Sequence, residues 1–212
     1  MNKTLIIIGA SGYGKVIADI AVALGGYEAI FFLDDNKSIM DCAGYPVVGR
    51  SMEYVSYIDD SDFFVAISNE AVRKTIIRQL EADKATIATL VHPSAIIGNG
   101  VEIGVGTAVM PGAVINAGTT IGKGCIIKTS ASVDYDCKIG DYCLIAIDAS
   151  LGSNVEVGDG SRIEANATIV DGVYVVDECL IGAGAVLVKD ASVHGAYYGV
   201  PAKMSGHKGY FI

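Results

Sequence analysis

The chain has 212 residues, 51% of them hydrophobic, enough to bury one large core or two small ones and too apolar for a disordered protein. Its formal net charge of -9, with no block of lysines or arginines, lacks the basic footprint that nucleic acid or an anionic membrane surface requires, and directs attention to a small-molecule partner. No apolar stretch approaches the ~18 residues of a membrane-spanning helix, and the apolar run in MNKTLIIIGASG is too short for a signal-peptide core, so a cytoplasmic protein is expected.

Residues 1–91 alternate strands with helices. TLIIIG at 4–9 predicts a buried strand, and KVIADIAVAL at 15–24 a helix with Val16, Ile17, Ile20, Ala21 and Leu24 on one face, stopped by Gly25 and Gly26. AIFFLDD at 29–35 predicts a second strand and DFFVAIS at 62–68 a third. A helix over 70–81 follows, with Ser68 or Asn69 as its cap, and ATIATLV at 85–91 predicts a fourth strand. Continuous apolar strands in this order imply a small Rossmann-like parallel sheet covered by helices.

Between the first strand and its helix, GASGYGK at 9–15 places backbone N–H groups and a helix N-terminus where they can hold a phosphate. The same residues satisfy G-x-x-x-x-G-K, which would make Lys15 a P-loop lysine. Against that, Val16 stands where a magnesium-binding Ser or Thr belongs, and ~90 residues is small for such a domain. A tight strand–helix turn without a ligand is the third reading.

At His92-Pro93 the pattern changes. Residues 92–212 form the second domain, and from Ala95 to Asp190 they divide into sixteen uninterrupted hexads, AIIGNG, VEIGVG, TAVMPG and so on. The third residue of every hexad is Ile, Val or Leu, and the first is Ala, Val, Thr, Cys or Ser. Strand alternation points both inward. Ala95, Ala113, Ala131, Ala149, Ala167 and Ala185 recur at eighteen residues, so three hexads complete one turn of a triangular parallel β-helix. Thr107, Cys125, Cys143, Ser161 and Cys179 form a second inward column, which accounts for three of the five cysteines as small buried side chains. No C-x-x-C pair occurs, and His92, His194 and His207 are scattered, so no metal site is expected.

The hexads, the small nucleotide-binding-like domain before them and the closing GVPAK at 199–203 resemble the hexapeptide-repeat acyltransferases. Within these, the layout is similar to the sialic acid O-acetyltransferase and PglD-like nucleotide-sugar N-acetyltransferase group. That resemblance implies a left-handed β-helix, a homotrimer, and acetyl-CoA as acyl donor in the groove between neighbouring β-helices. It further implies an amino-sugar or sialic-acid acceptor, free or nucleotide-linked, and a place in surface glycan biosynthesis. The γ-type carbonic anhydrases share the prism but bind metal through three histidines, and none lies between 95 and 190.

The family's base is a histidine in a D-H-[DE]-C segment, which here reads Asp134-Tyr135-Asp136-Cys137. Tyr135 and Asp136 are therefore the expected catalytic positions, with the acid present and the imidazole replaced. A free phenol has a pKa of about 10 and is a poor resting base at neutral pH. Tyr135 could orient a sugar amine while Asp136 or water takes the proton; the alternative is a surface aromatic on a catalytically impaired member that keeps the trimer and its ligands. Nine residues on, the family's second histidine corresponds to Leu144, and Asp148 is an unexpected titratable group in the same segment. The resemblance assigns acetyl-CoA contacts to Leu144, Ala165 and Ala183. It assigns the nucleotide to Ser11, Gly12 and Tyr13 in the loop, to Asp34 and Asp35 at the end of the second strand, and to Asn69 in the ISN segment at 67–69.

Overall fold

A computed structural model describes residues 3–205 and divides the chain into two compact units, Met1–Pro93 and Ser94–Ile212. His207 lies outside the described residues.

In the first unit the order is β1 (Thr4–Ile8), α1 (Gly12–Leu24), β2 (Ala29–Leu33), β3 (Asp41–Cys42), β4 (Tyr45–Gly49), a 3-10 turn at Ser51–Tyr57, β5 (Ser61–Val65), α2 (Glu70–Ala82), β6 (Thr86–Ile87) and β7 (Leu90–Val91). The sheet order is β3-β4-β2-β1-β5-β6. β1 pairs in parallel with β2 and with β5, so Ile6 lies between Phe31 and Phe63. Ile6, Ile7, Ile8, Phe32, Phe63 and Phe64 are wholly buried, which is why these strands are continuous apolar runs rather than alternating ones. The chain leaves β1 toward β2 on one side and reaches β5 on the other. The carboxyl ends of β1 and β5 therefore flank a topological switch point, where open α/β sheets take their ligands.

Three details depart from expectation. First, α1 starts at Gly12 rather than 15, because Ser11 (φ -121°, ψ -176°) is extended and the turn enters the helix directly. Second, residues 41–49 form a hairpin that places antiparallel β3 on the sheet edge, making the sheet mixed; its turn runs through Ala43 (φ 54°) and Gly44 (φ 81°). Third, the segment predicted as one strand at 85–91 is two short strands.

Within this unit the Tyr54 hydroxyl donates to Asp83 Oδ2 at 2.5 Å. Burial, then the bond to the carboxylate, pushes the phenol up to about 12. The folded state thus keeps a proton that the unfolded chain loses near pH 10, so this stabilisation is intact below pH 10 and is lost as pH rises toward 12. Tyr54→Phe should accordingly show a shallower fall in urea midpoint between pH 9.5 and 11 than the parent; an unchanged slope would remove Tyr54 from the alkaline transition.

The second unit is the prism. Each of the sixteen hexads contributes a two-residue strand at its second and third positions, from Ile96–Ile97 to Val186–Leu187. Pairings run in parallel at a spacing of eighteen, for example Ser132 with Val114 and with Ser150, so equivalent hexads stack as predicted. Ala113, Ala131, Ala149 and Ala167 are fully buried in one column, with Ile115, Val133, Leu151 and Ile169 beside them.

Polar first positions serve the stack too. Thr107 Oγ1 donates to Gly122 O at 2.8 Å and accepts from Cys125 N at 2.9 Å, tying consecutive coils at the corner. Thr119 and Ser161 repeat this arrangement, and the Cys125 and Cys143 thiols donate to Gly140 O and Gly158 O. All five cysteines are free and buried. After the last hexad, Ala196–Tyr198 adds a parallel strand to Leu180–Ile181 and turns back through GVPAK, with a cis Val200-Pro201 bond, to pair with Lys203–Met204.

Candidate functional site

Each hexad turns its corner at positions four to six, and in every hexad but the last the sixth residue takes the left-handed conformation. Glycine fills it most often, but Asp136 (φ 56°), Asp148 (φ 55°), Asn154 (φ 55°) and Asn166 (φ 58°) also do, side chains that tolerate this region best after glycine. Asp136 is thus a corner residue: its N–H donates to Ala117 O at 3.0 Å, and its carboxylate lies over Gly118 of the preceding coil, where a Cβ would meet Oδ1. Tyr135, the residue before it, projects from the same ridge and is 48% exposed. On its other side Asp134 accepts a 2.7 Å bond from Asn116 Nδ2 on the neighbouring coil. Of the two carboxylates flanking Tyr135, Asp134 is engaged along the face and Asp136 occupies the ridge.

Ala165 and Ala183 stack on a different ridge, below Ile147, through the bonds Asn166 N to Ile147 O and Gly184 N to Ala165 O. Asp148 belongs to that ridge as well, its N–H donating to Thr129 O at 3.3 Å. One face of the prism, bearing Ser132, Ser150 and Thr168, lies between the two ridges. Leu144 sits on the face before the alanine ridge, at an outward position between Ile126 and Arg162, yet it is only 7% exposed. A buried leucine there offers no hydrogen bond. Within one chain, therefore, the structure groups Tyr135 with Asp136 and Ala165 with Ala183, and it does not bring the two pairs together.

In the first unit, Gly9 (φ 113°) turns the chain so closely over Ala66 that a Cβ would lie 2.7 Å from Ala66 O. A Cβ at Gly14 would collide with Gly9 O. Both glycines are required by packing, whereas Gly12 has open space around it. Ser11 and Gly12 are exposed at the start of α1, and Tyr13 packs edge-on to Phe64. The carboxylates carry more structural duty than the sequence implied. Asp34 Oδ2 accepts from Ala10 N at 2.7 Å and Oδ1 from Asn36 N at 2.8 Å, while Asp35 Oδ1 accepts from Ser51 N at 3.1 Å. Asn69 caps α2, its side chain accepting from Val72 N at 3.1 Å. Beside Asp34, a cavity of about 270 Å³ is lined by Asn36, Lys37, Ile39, Met40, Val47 and Arg50, among others.

Sequence reasoning missed Arg73. It lies on α2, is 1% exposed, and Nη1 donates to Ile67 O and Ser68 O at 3.0 Å each. Helical periodicity carried no warning, since an arginine in an amphipathic helix is ordinarily solvent-facing. Among the described residues no group of three or more His, Cys, Asp and Glu side chains is arranged to hold a metal ion, and no helix is long and apolar enough to cross a membrane.

An α/β unit with an open glycine loop, followed in the chain by a parallel prism of hexads, defines a hexapeptide-repeat transferase architecture. Residues 4–80 match the PglD N-terminal domain, and residues 136–171 match the bacterial transferase hexapeptide (six repeats). The acetyltransferase domain of PglB from Neisseria gonorrhoeae FA1090, solved in complex with acetyl coenzyme A, is 36% identical, covers 97% of this chain and 100% of that one, and superposes with a TM-score of 0.93. PerB from Caulobacter crescentus, solved with CoA and GDP-perosamine, is 33% identical over 96% of this chain and 97% of that one, with a TM-score of 0.88. A UDP-N-acetylbacillosamine N-acetyltransferase of Bacillus subtilis (strain 168) is 32% identical over 107 residues, a match that spans about half of each protein (49% and 50%). The chain belongs to the hexapeptide-repeat acyltransferase family that joins a PglD-type N-terminal domain to a left-handed β-helix.

Proposed function

We propose that the chain is an acetyl-CoA-dependent N-acetyltransferase whose acceptor is the amine of a nucleotide-linked sugar destined for a surface glycan, and that it works as a homotrimer. The observation that carries this reading is full-length likeness, above 30% identity, to relatives solved with acetyl coenzyme A in one case and with CoA plus a GDP-linked sugar in the other. The nucleotide is assigned to the loop of Ser11, Gly12 and Tyr13 with Asp35 and Asn69 beside it, and Asp34 holds that loop in shape from below. Acetyl-CoA is assigned to the ridge of Ala165 and Ala183, where small side chains permit backbone approach. Because that ridge and Tyr135 stand on different edges of one prism, the trimer is what brings the Tyr135 ridge of one copy to the alanine ridge of the next.

The chemistry then falls to few groups. The neutral amine attacks the thioester carbonyl, an N–C bond forms, and the C–S bond breaks. The amine's proton passes to Asp136 or to water, and the CoA thiolate takes up a proton from solvent. Tyr135 orients the amine through its hydroxyl. An amine acceptor suits this site better than a hydroxyl, because its neutral form is already nucleophilic and asks less of a general base.

A second reading, a ligand-binding member without useful turnover, is favoured by one observation: Tyr135 and Leu144 leave both expected imidazole positions without a base or a hydrogen-bonding nitrogen. Crystal structures of the Caulobacter enzyme with a histidine changed to alanine or to asparagine also contain CoA and GDP-perosamine. In that protein, ligand binding and the histidine are separable. The test is thiol release from acetyl-CoA across UDP- and GDP-linked amino sugars and sialic acid, alongside calorimetric binding of each. Release with a nucleotide amino sugar and none with sialic acid is expected; binding of both ligands with no release from any acceptor selects the second reading.

A further inference from the structure

The structure assigns to Arg73 a role in aiming two backbone donors, the N–H groups of Ser68 and Asn69, at an oxygen of the bound nucleotide; this deepens the nucleotide-sugar reading and rests on it. Arg73 is the largest fully buried side chain among the described residues, a permanent cation at 1% exposure. Burying such a group is strongly unfavourable unless its donors are satisfied, so its placement is tied to the partners it finds. Among those partners are two successive carbonyls, Ile67 O and Ser68 O, both bonded to Nη1 at 3.0 Å.

A trans peptide carries its C=O and N–H in opposite directions, and the one cis bond among the described residues is Val200-Pro201. Drawing the carbonyls of 67 and 68 inward to the guanidinium therefore turns the N–H groups of 68 and 69 outward. Ser68 and Asn69 are exposed, and among the described residues neither N–H donates to an acceptor of the chain. The pair sits at the carboxyl end of β5, beside the Gly9 turn, whose backbone packs on Ala66 and Ile67. Hence the two loops at the switch point are braced against each other, and Arg73 fixes the peptide planes of one of them. Two parallel donors suit a phosphate oxygen or a base carbonyl.

Arg73 acts through the Ser68 and Asn69 peptides rather than on the substrate; it is a positioning residue. The experiment is calorimetric titration of the parent, Arg73→Met and Arg73→Lys with UDP, GDP, uridine, guanosine and acetyl-CoA, at a temperature where circular dichroism shows each protein folded. For whichever nucleotide the parent binds, Arg73→Met should weaken affinity about tenfold, as expected for loss of one charge-assisted constraint. Arg73→Lys should fall between the two, and acetyl-CoA affinity should stay within about twofold. In turnover, KM for the nucleotide sugar should rise by the same factor with kcat unchanged. A loss confined to the diphosphate identifies a phosphate oxygen as the target, and a loss shared by the nucleoside identifies the base or ribose. Nucleotide affinity unchanged in the folded variants overturns the inference while leaving the nucleotide-sugar reading intact. A parent that binds acetyl-CoA but no nucleotide removes that reading and this inference together. Should Arg73→Met not fold, Arg73→Lys carries the same test, because lowered melting with unaltered nucleotide affinity is the mark of a purely structural role.

Discussion

Tyr135→His is expected to raise kcat by about 10²- to 10⁴-fold, the range that a positioned general base supplies. The ridge is prepared for it. The backbone carbonyl of residue 135 is held by Asn154 N at 3.0 Å, the N–H of residue 136 by Ala117 O at 3.0 Å, and the ring projects outward at 48% exposure. An imidazole can therefore replace the phenol without repacking the prism. Near its ordinary pKa of about 6.5 it is largely neutral at pH 7 and able to take the amine's proton, with Asp136 adjacent to orient it. Stopped assays of CoA thiol release suit this chain, because its five cysteines are buried and contribute little background. The rate of the variant should climb with pH through the imidazole's range and then level. A variant that binds both ligands and is no faster than the parent would locate the chemistry elsewhere than this ridge.

How much of this was legible in the residues divides along a physical line. The prism was readable because its side chains obey two periods at once: six residues fix which positions point inward, and eighteen fix which ones stack. Both are consequences of backbone geometry and admit no local exceptions. The hairpin at 41–49 was not readable. Its left-handed turn uses Ala43-Gly44 instead of the Asn-Gly or Asp-Gly that advertises such turns, and its strands carry no alternation. In the loop region, identities were visible but duties were not. Asp34 looks in sequence like a ligand contact at a strand end, and in the fold its two oxygens are taken by Ala10 N and Asn36 N. Arg73 was invisible for the converse reason: a helix pattern counts it as solvent-facing, whereas in the fold it is buried with its guanidinium on the carbonyls of Ile67 and Ser68. In the proposed trimer the relation between Tyr135 and the Ala165 ridge would be set by assembly, which no single-chain periodicity encodes.

One device was written in the sequence and passed over there. Asp141, Asp159 and Asp177 recur at eighteen residues, and Gly122, Gly140 and Gly158 each lie nineteen residues before one of them. In the fold, Asp141 Oδ1 accepts from Lys123 N at 2.9 Å, Asp159 Oδ1 from Asp141 N at 2.7 Å and Asp177 Oδ1 from Asp159 N at 3.0 Å. Each carboxylate occupies the space left by the glycine of the coil before. Three carboxylates on one ridge repel one another, so the ladder persists because each is bound to a backbone donor, and hydrogen bonds to charged groups are worth about 1.5–3 kcal/mol.

Gly140→Ala should therefore be costly. Its Cβ would meet Asp159 Oδ1 and stand 2.8 Å from Asp159 N and 3.0 Å from the Gly158 carbonyl carbon, so two coils must separate or the carboxylate must leave. Overpacking and the lost bond together predict about 3 kcal/mol or more of destabilisation by urea unfolding. Gly172→Ala is the matched control. Gly172 has φ 69° and nothing within 4 Å of its Cβ position, so alanine there meets only the backbone penalty of about 1–2 kcal/mol. Equal losses in the two variants would mean that the close stacking of glycine on aspartate contributes nothing to holding the coils together. A much larger loss at 140 would place the stiffness of this ridge, and with it the spacing of any groove between copies, in the carboxylate ladder itself.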